Sequence, residues 1–378
     1  DVDGTSTLTG TSYAANSETF GGAVTLTGDT TLDASGALTV ASVSGAGNDL
    51  TLDGSSIALG NVANVGALAV DAAATLTGTS YAANSMDFGA LTLTGDTTLD
   101  ATDTVTVASV AGAGNDLTID GTSLSLGNVA NVGALAANAA ATLTGTSYAA
   151  DSETFGAVTL TGDTTLDTTG DLAVASVAGA GNDLTLTGGG NTSLGNVSGV
   201  GALDVDGTST LTGTSYAANS EIFGGAVTLT GDTTLTTTGD LAVASVTGAG
   251  NDLTLAAGGN TLLGNVADVG ALDVDGTSTL TGTSYKAASE TFGGALTLTG
   301  DTTLDASGAI AVASVTGGSN SLTLDGSSVS LGDVAGVDAL TVGGPATLTG
   351  TSYAADSETF GAVALTGDTT LDTTRSEE

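Results

Sequence analysis

The chain has 378 residues, of which 59 are Gly, with Thr more frequent still. It has no Cys, His or Trp, and its two cations face 41 acidic residues for a net charge of −39. That composition excludes a thiol nucleophile, a Ser-His-Asp triad, a disulfide framework and the usual zinc sites. With only Lys286 and Arg375 positive, neutralising a run of phosphates is impossible, so neither nucleic acid nor an anionic membrane surface is expected as a partner. No run of about 18 apolar residues exists, so no membrane insertion is expected.

The chain repeats itself. Tyr13, Tyr81, Tyr148, Tyr216, Tyr285 and Tyr353 are its six tyrosines, and Phe20, Phe88, Phe155, Phe223, Phe292 and Phe360 its six phenylalanines, each at the seventh position after a tyrosine. The numbering of the tyrosines advances by 68, 67, 68, 69 and 68. Repeats therefore run over 13–80, 81–147, 148–215, 216–284 and 285–352, with a partial copy over 353–378. The length differences fall at Phe-Gly or Phe-Gly-Gly and in a Gly run such as Gly188-Gly189-Gly190-Asn191, positions where turns tolerate a change in length.

In chain order, each repeat first offers Ser12 to Phe20, read as an irregular loop. Val24/Leu26 and Leu38/Val40 follow, then Leu50/Leu52 and Ile57/Leu59. They alternate with polar residues as short half-buried strands do, with Thr the usual outward neighbour. Gly-Asp, Ala-Ser-Gly, Gly-Ala-Gly-Asn and Asp-Gly-Ser-Ser separate them as turn clusters. From Leu59 to Leu68 the apolar spacing lengthens to three, which reads as corners. Three similar pieces per repeat, about 23 residues each, predict an all-β, right-handed parallel β-helix (β-solenoid). The expectation is a single elongated solenoid over 1–378, with about three coils per 68-residue repeat and about 16 to 17 coils in all.

The stretch from Ala23 to Val43, Ala-Val-Thr-Leu-Thr-Gly-Asp-Thr-Thr-Leu-Asp-Ala-Ser-Gly-Ala-Leu-Thr-Val-Ala-Ser-Val, resembles the repeats of filamentous-haemagglutinin-like proteins and other giant bacterial surface adhesins. That resemblance implies a right-handed parallel β-helix projecting from a cell, with a role in adhesion or biofilm structure. The chain differs from the family in its longer repeat and shows no secretion domain.

The candidate sites recur with the repeat. Gly-Asn-Asp at Asp49, Asp116, Asp183 and Asp252 resembles the calcium-binding turn of RTX proteins, with an Asx-type turn as the alternative. No cofactor is required; calcium is the one candidate ion. Asp-Val-Asp-Gly at residues 1–4 lacks most of an EF-hand's ligands. Glu18, Glu153, Glu221, Glu290 and Glu358 recur, whereas a catalytic pair is usually unique, so no enzyme activity is expected. The twelve aromatics either fill the coil or form a surface and assembly ladder, one rung every three coils, about 14 Å apart at about 4.8 Å per coil. Thr-Leu-Thr triplets could form an ice-binding rank.

These features predict a structural segment of an extracellular fibre or cell-surface adhesin, whose partners are other copies of itself joined head to tail, or a longer repeat chain. The alternative is a calcium-assisted solenoid that binds polysaccharide or ice. The only departure from the repeat at the end, Arg375-Ser376-Glu377-Glu378, is too short to cover a coil.

Overall fold

The structure, a computed structural model, describes residues 1–373; the tail 375–378 lies outside them. The described residues contain strands and no helix, hence no helix long and apolar enough to cross a membrane. Among the described residues every strand pairing is parallel, each strand stacking on the one a turn earlier in the chain. The fold is a β-solenoid of about 19 turns, divided into two compact units, Asp1–Gly190 and Asn191–Glu378.

In the first unit, one inward ladder runs Glu18, Leu38, Ile57, Ala74, Leu91, Val110, Val129, Tyr148, Leu166, Leu186. Its shortest steps are Ile57 to Ala74 and Ala74 to Leu91, and its longest Glu18 to Leu38 and Leu166 to Leu186. A second ladder runs Ser6, Val24, Val43, Val62, Tyr81, Leu99, Ile119, Ala137, Phe155, Val174. The second unit is built alike, with ladders such as Val227, Val246, Val266, Tyr285, Leu304.

This register corrects the expected coil. Every step along both ladders is shorter than a third of a repeat, and nine steps carry each ladder from Glu18 to Leu186 or from Ser6 to Val174, so one repeat covers more than three and a half turns instead of three. The extra strand comes from the segment read as a loop. Ser12–Ala15 and Glu18–Leu26 are strands, and in the next repeats Ser80–Leu93 and Ser147–Leu160 are continuous. Its small and polar residues, Ala-Ala-Asn-Ser, conceal two inward pairs, Tyr and Ala, then Met or Glu and Phe, with one extra residue between the pairs. Because a repeat is not a whole number of turns, consecutive copies start on different ladders: Tyr13 sits under Leu32, Tyr81 over Val62 and Tyr148 over Val129.

The corner reading of Leu59 to Leu68 agrees with the structure. Between Val62 and Val65 the pairing to Tyr81 and Ala83 slips by one residue, and Asn64 there has φ of 53°. Later copies place Asn131, Gly199, Asp268 and Gly336 at this corner, all with positive φ, a conformation that Asn, Asp and Gly tolerate best. A little earlier in the chain, a methyl group on Gly60 would collide with the Ala41 carbonyl of the turn before, so the turns can close up there only on glycine.

Candidate functional site

Among the described residues, open grooves of about 420, 310, 400 and 220 Å³ lie at different places along the two units. What is chemically distinctive recurs in three places per repeat: the Gly-Asn-Asp turn, the tyrosine corner and the inward glutamate.

At the turn, Ala46 and Gly47 both have positive φ, and the Asn48 N–H donates back to the Gly45 carbonyl at 3.0 Å. Asn48 Nδ2 donates to the Gly45 and Leu26 carbonyls. The Asp49 N–H donates to Asp29 Oδ1 at 3.0 Å, and Asp49 Oδ1 accepts the Ala67 N–H at 2.7 Å. Carboxylates thus staple successive turns. Asp116 and Asp252 repeat both bonds, and the Asp183 N–H donates to Asp163 Oδ1. Among the described residues, no three acidic side chains converge as a set that could hold a metal ion. The arrangement is a carboxylate staple between successive turns.

At the corner, Tyr81 lies fully buried. Its hydroxyl donates to the Leu59 carbonyl at 2.6 Å and accepts the Gly78 N–H at 3.0 Å. Asn61 Oδ1 accepts the N–H groups of Thr79 and Ser80 at 2.8 and 3.1 Å. Leu-Gly-Asn on one turn and Gly-Thr-Ser-Tyr on the next therefore interlock. The same set forms at Tyr148, Tyr216 and Tyr285, and at Tyr353 with Asp333 in place of Asn. Two amide donors on the Asp333 carboxylate hold its pKa down.

The aromatics are consequently not a surface ladder. Tyr81, Tyr148, Tyr216, Tyr285 and Tyr353, with Phe20, Phe88, Phe155, Phe223 and Phe292, are buried, and only Tyr13 and Phe360, near the two ends, are half-buried. Tyr148 and Phe155 meet edge to face with centroids 6.2 Å apart, a favourable aromatic geometry. The threonines of the Thr-Leu-Thr triplets face outward, but their ranks break: Thr7, Thr25, Ser44 in one row, and Thr39, Ala58, Thr75, Thr92, Ala111 in another. A repeat out of step with the turn cannot keep one residue type in line.

The glutamate, in sequence a recurrent loop acid, is in fact a core residue. Glu153 is 1% exposed, and its rungs are Leu135 below and Leu172 above. Glu221 lies between Leu203 and Leu241, and Glu290 between Leu272 and Ile310. Among the described residues, neither the Glu153 nor the Glu221 carboxyl has a hydrogen-bond partner. Burial pushes Glu153 up to about 9, with Asp167 adding to the effect, and pushes Glu221 and Glu290 up to about 8. Burial also raises Glu18 and Glu358, which lie nearer the ends. A carboxyl in an apolar stack is favoured as the neutral acid. The sequence holds one signal for this: the second repeat places Met86 at the same position.

Comparison with family models, curated proteins and solved structures gives no match.

Proposed function

We propose that this chain is a non-catalytic structural segment of an extracellular fibre or cell-surface adhesin, in which turn stacks on turn. The observation that carries the reading is that the distinctive residues recur with the repeat and are engaged inside it. Asp49 and its equivalents staple turns, the tyrosines lock corners, and the glutamates stack in the core. A ligand site is usually unique, whereas this chemistry belongs to the ladder itself.

On the last described turn, Val363, Leu365 and Leu371 are exposed, while one turn earlier Leu348 and Tyr353 are buried. A further turn, from more polypeptide or from a second copy, would cover that row and pair the open strand edge. The net charge of −39 would limit sideways clumping without opposing such an end-on bond as strongly. The broken threonine rows give the ice-binding alternative no support.

Electron microscopy and light scattering of the purified chain test this reading. Thin unbranched rods, lengthening with concentration or with added repeats, support it. Rounded particles that never associate end to end overturn it. Melting in millimolar calcium against chelator decides separately whether the Gly-Asn-Asp turns hold an ion.

A further inference from the structure

Away from the first and last described turns, the only large apolar side chains that are well exposed among the described residues are Ile222, 48% exposed, and Leu262, 40% exposed. Both are departures from the repeat. Where Ile222 stands, the other copies have Thr19, Asp87, Thr154, Thr291 and Thr359; where Leu262 stands, they have Ala58, Ser125, Ser193 and Ser330. Although distant in sequence, the two fall in one outward row of the second unit. Ile222 pairs with Ala242, and Ala242 with Leu262. The row therefore presents isoleucine, alanine and leucine on three successive turns, about 10 Å from first to last at the spacing of paired strands.

This row lines an open groove of about 400 Å³ together with Ser220, Asp240 and Asn260. Its charged surroundings are acidic. Asp240 lies in the groove wall, and Asp204 is the rung neighbour of Ile222. Asp206 lies near enough to raise the pKa of Asp204, though less than burial does. No cation lines the groove. A single exposed apolar residue needs no explanation, but an apolar row rimmed by one sign of charge has the form of a docking surface. A second copy is disfavoured as the occupant, since each copy carries −39 and would bring like charge to an acidic rim.

We infer that the Ile222–Ala242–Leu262 row is a docking site for a basic partner segment, which places apolar side chains in the groove and its cations against Asp204 and Asp240. On a fibre segment this would give one lateral attachment point in an otherwise repetitive surface.

The chain has four isoleucines, Ile57, Ile119, Ile222 and Ile310, and the other three are buried, so methyl NMR reads the site directly. Blocked Lys-Leu-Leu-Lys is the probe, with Glu-Leu-Leu-Glu and Lys-Ser-Ser-Lys as controls. The inference expects the Ile222 methyl signal to shift saturably with the first peptide alone. The double variant I222T/L262S, which carries residues the other repeats use, should keep the wild-type melting temperature and bind the probe at least tenfold more weakly. An Ile222 signal that does not move overturns the inference, as does an equal response to either control. So does a shift that follows protein concentration without peptide, which would make the occupant a second copy, or unchanged binding by the double variant.

Discussion

Two strands of the first unit, Ser80–Leu93 and Ser147–Leu160, occupy equivalent places in successive repeats and solve one problem differently. The first carries Met86 inward and Asp87 outward. The second carries Glu153 inward and Thr154 outward. The Met-Asp pair follows the alternation of a half-buried strand, apolar in and charged out. Glu-Thr violates it, and the fold accepts the violation because the carboxyl can take up a proton. A neutral glutamic acid has about the length of methionine, and its neighbours, Leu135 and Leu172, resemble those of Met86, Leu68 and Val105. The comparison teaches that the ladder dictates side-chain size at this position more strictly than polarity.

The linkage follows from the direction of the shift. A carboxyl whose pKa is raised by folding favours the folded state fully below its unfolded value, near 4.5, and loses that contribution as pH rises toward the folded value. For Glu153 the window extends to about 9, and for Glu221 and Glu290 to about 8. Within the window each group weakens folding by about 1.4 kcal/mol per pH unit.

The largest way to break the comparison is to remove the anchor both strands share. Tyr148→Ala deletes a fully buried ring and leaves the Leu126 carbonyl and the Gly145 N–H without their hydroxyl partner. It should destabilise the protein by about 4 kcal/mol, read from denaturant unfolding. The next largest effect comes from making the first strand resemble the second. Met86→Glu should lower stability by roughly 3 kcal/mol at pH 7 and by less than about 1 kcal/mol at pH 4, so a loss equal at both pH values would contradict neutralisation. The smallest is on the outer face, where Asp87→Thr and Thr154→Asp should each change stability by less than about 0.5 kcal/mol.

How much of this was legible depends on the residue. Val24/Leu26 and Leu38/Val40 announced strands because their alternation is strict. The Val62/Val65 corner showed itself as a spacing of three, since one extra residue breaks a period of two. The turn length is hidden because the small and polar residues around Tyr81 read as loop and so mask one strand per repeat. The glutamates were hidden for a related reason: Ser152, Glu153 and Thr154 together look like solvent-facing chain. Only the alternation from Glu153 to buried Phe155, and Met86 in the neighbouring copy, pointed inward. The Ile222 and Leu262 pair was invisible for want of a register, because positions so distant in sequence become neighbours two turns apart only once the turn length is known.

The account rests on the repeat's conspicuous residues serving the ladder from within, and Glu153→Met tests that most directly. Unfolding of this variant and of the wild type should be compared at pH 4 and at pH 7.5. Burial of a neutral acid predicts that the variant is more stable by about 4 kcal/mol at pH 7.5 and within about 1 kcal/mol of wild type at pH 4. A gain that does not depend on pH would mean that folding leaves the Glu153 carboxyl unshifted, and a loss at pH 7.5 that it is charged and partnered in the folded chain; either would contradict the account.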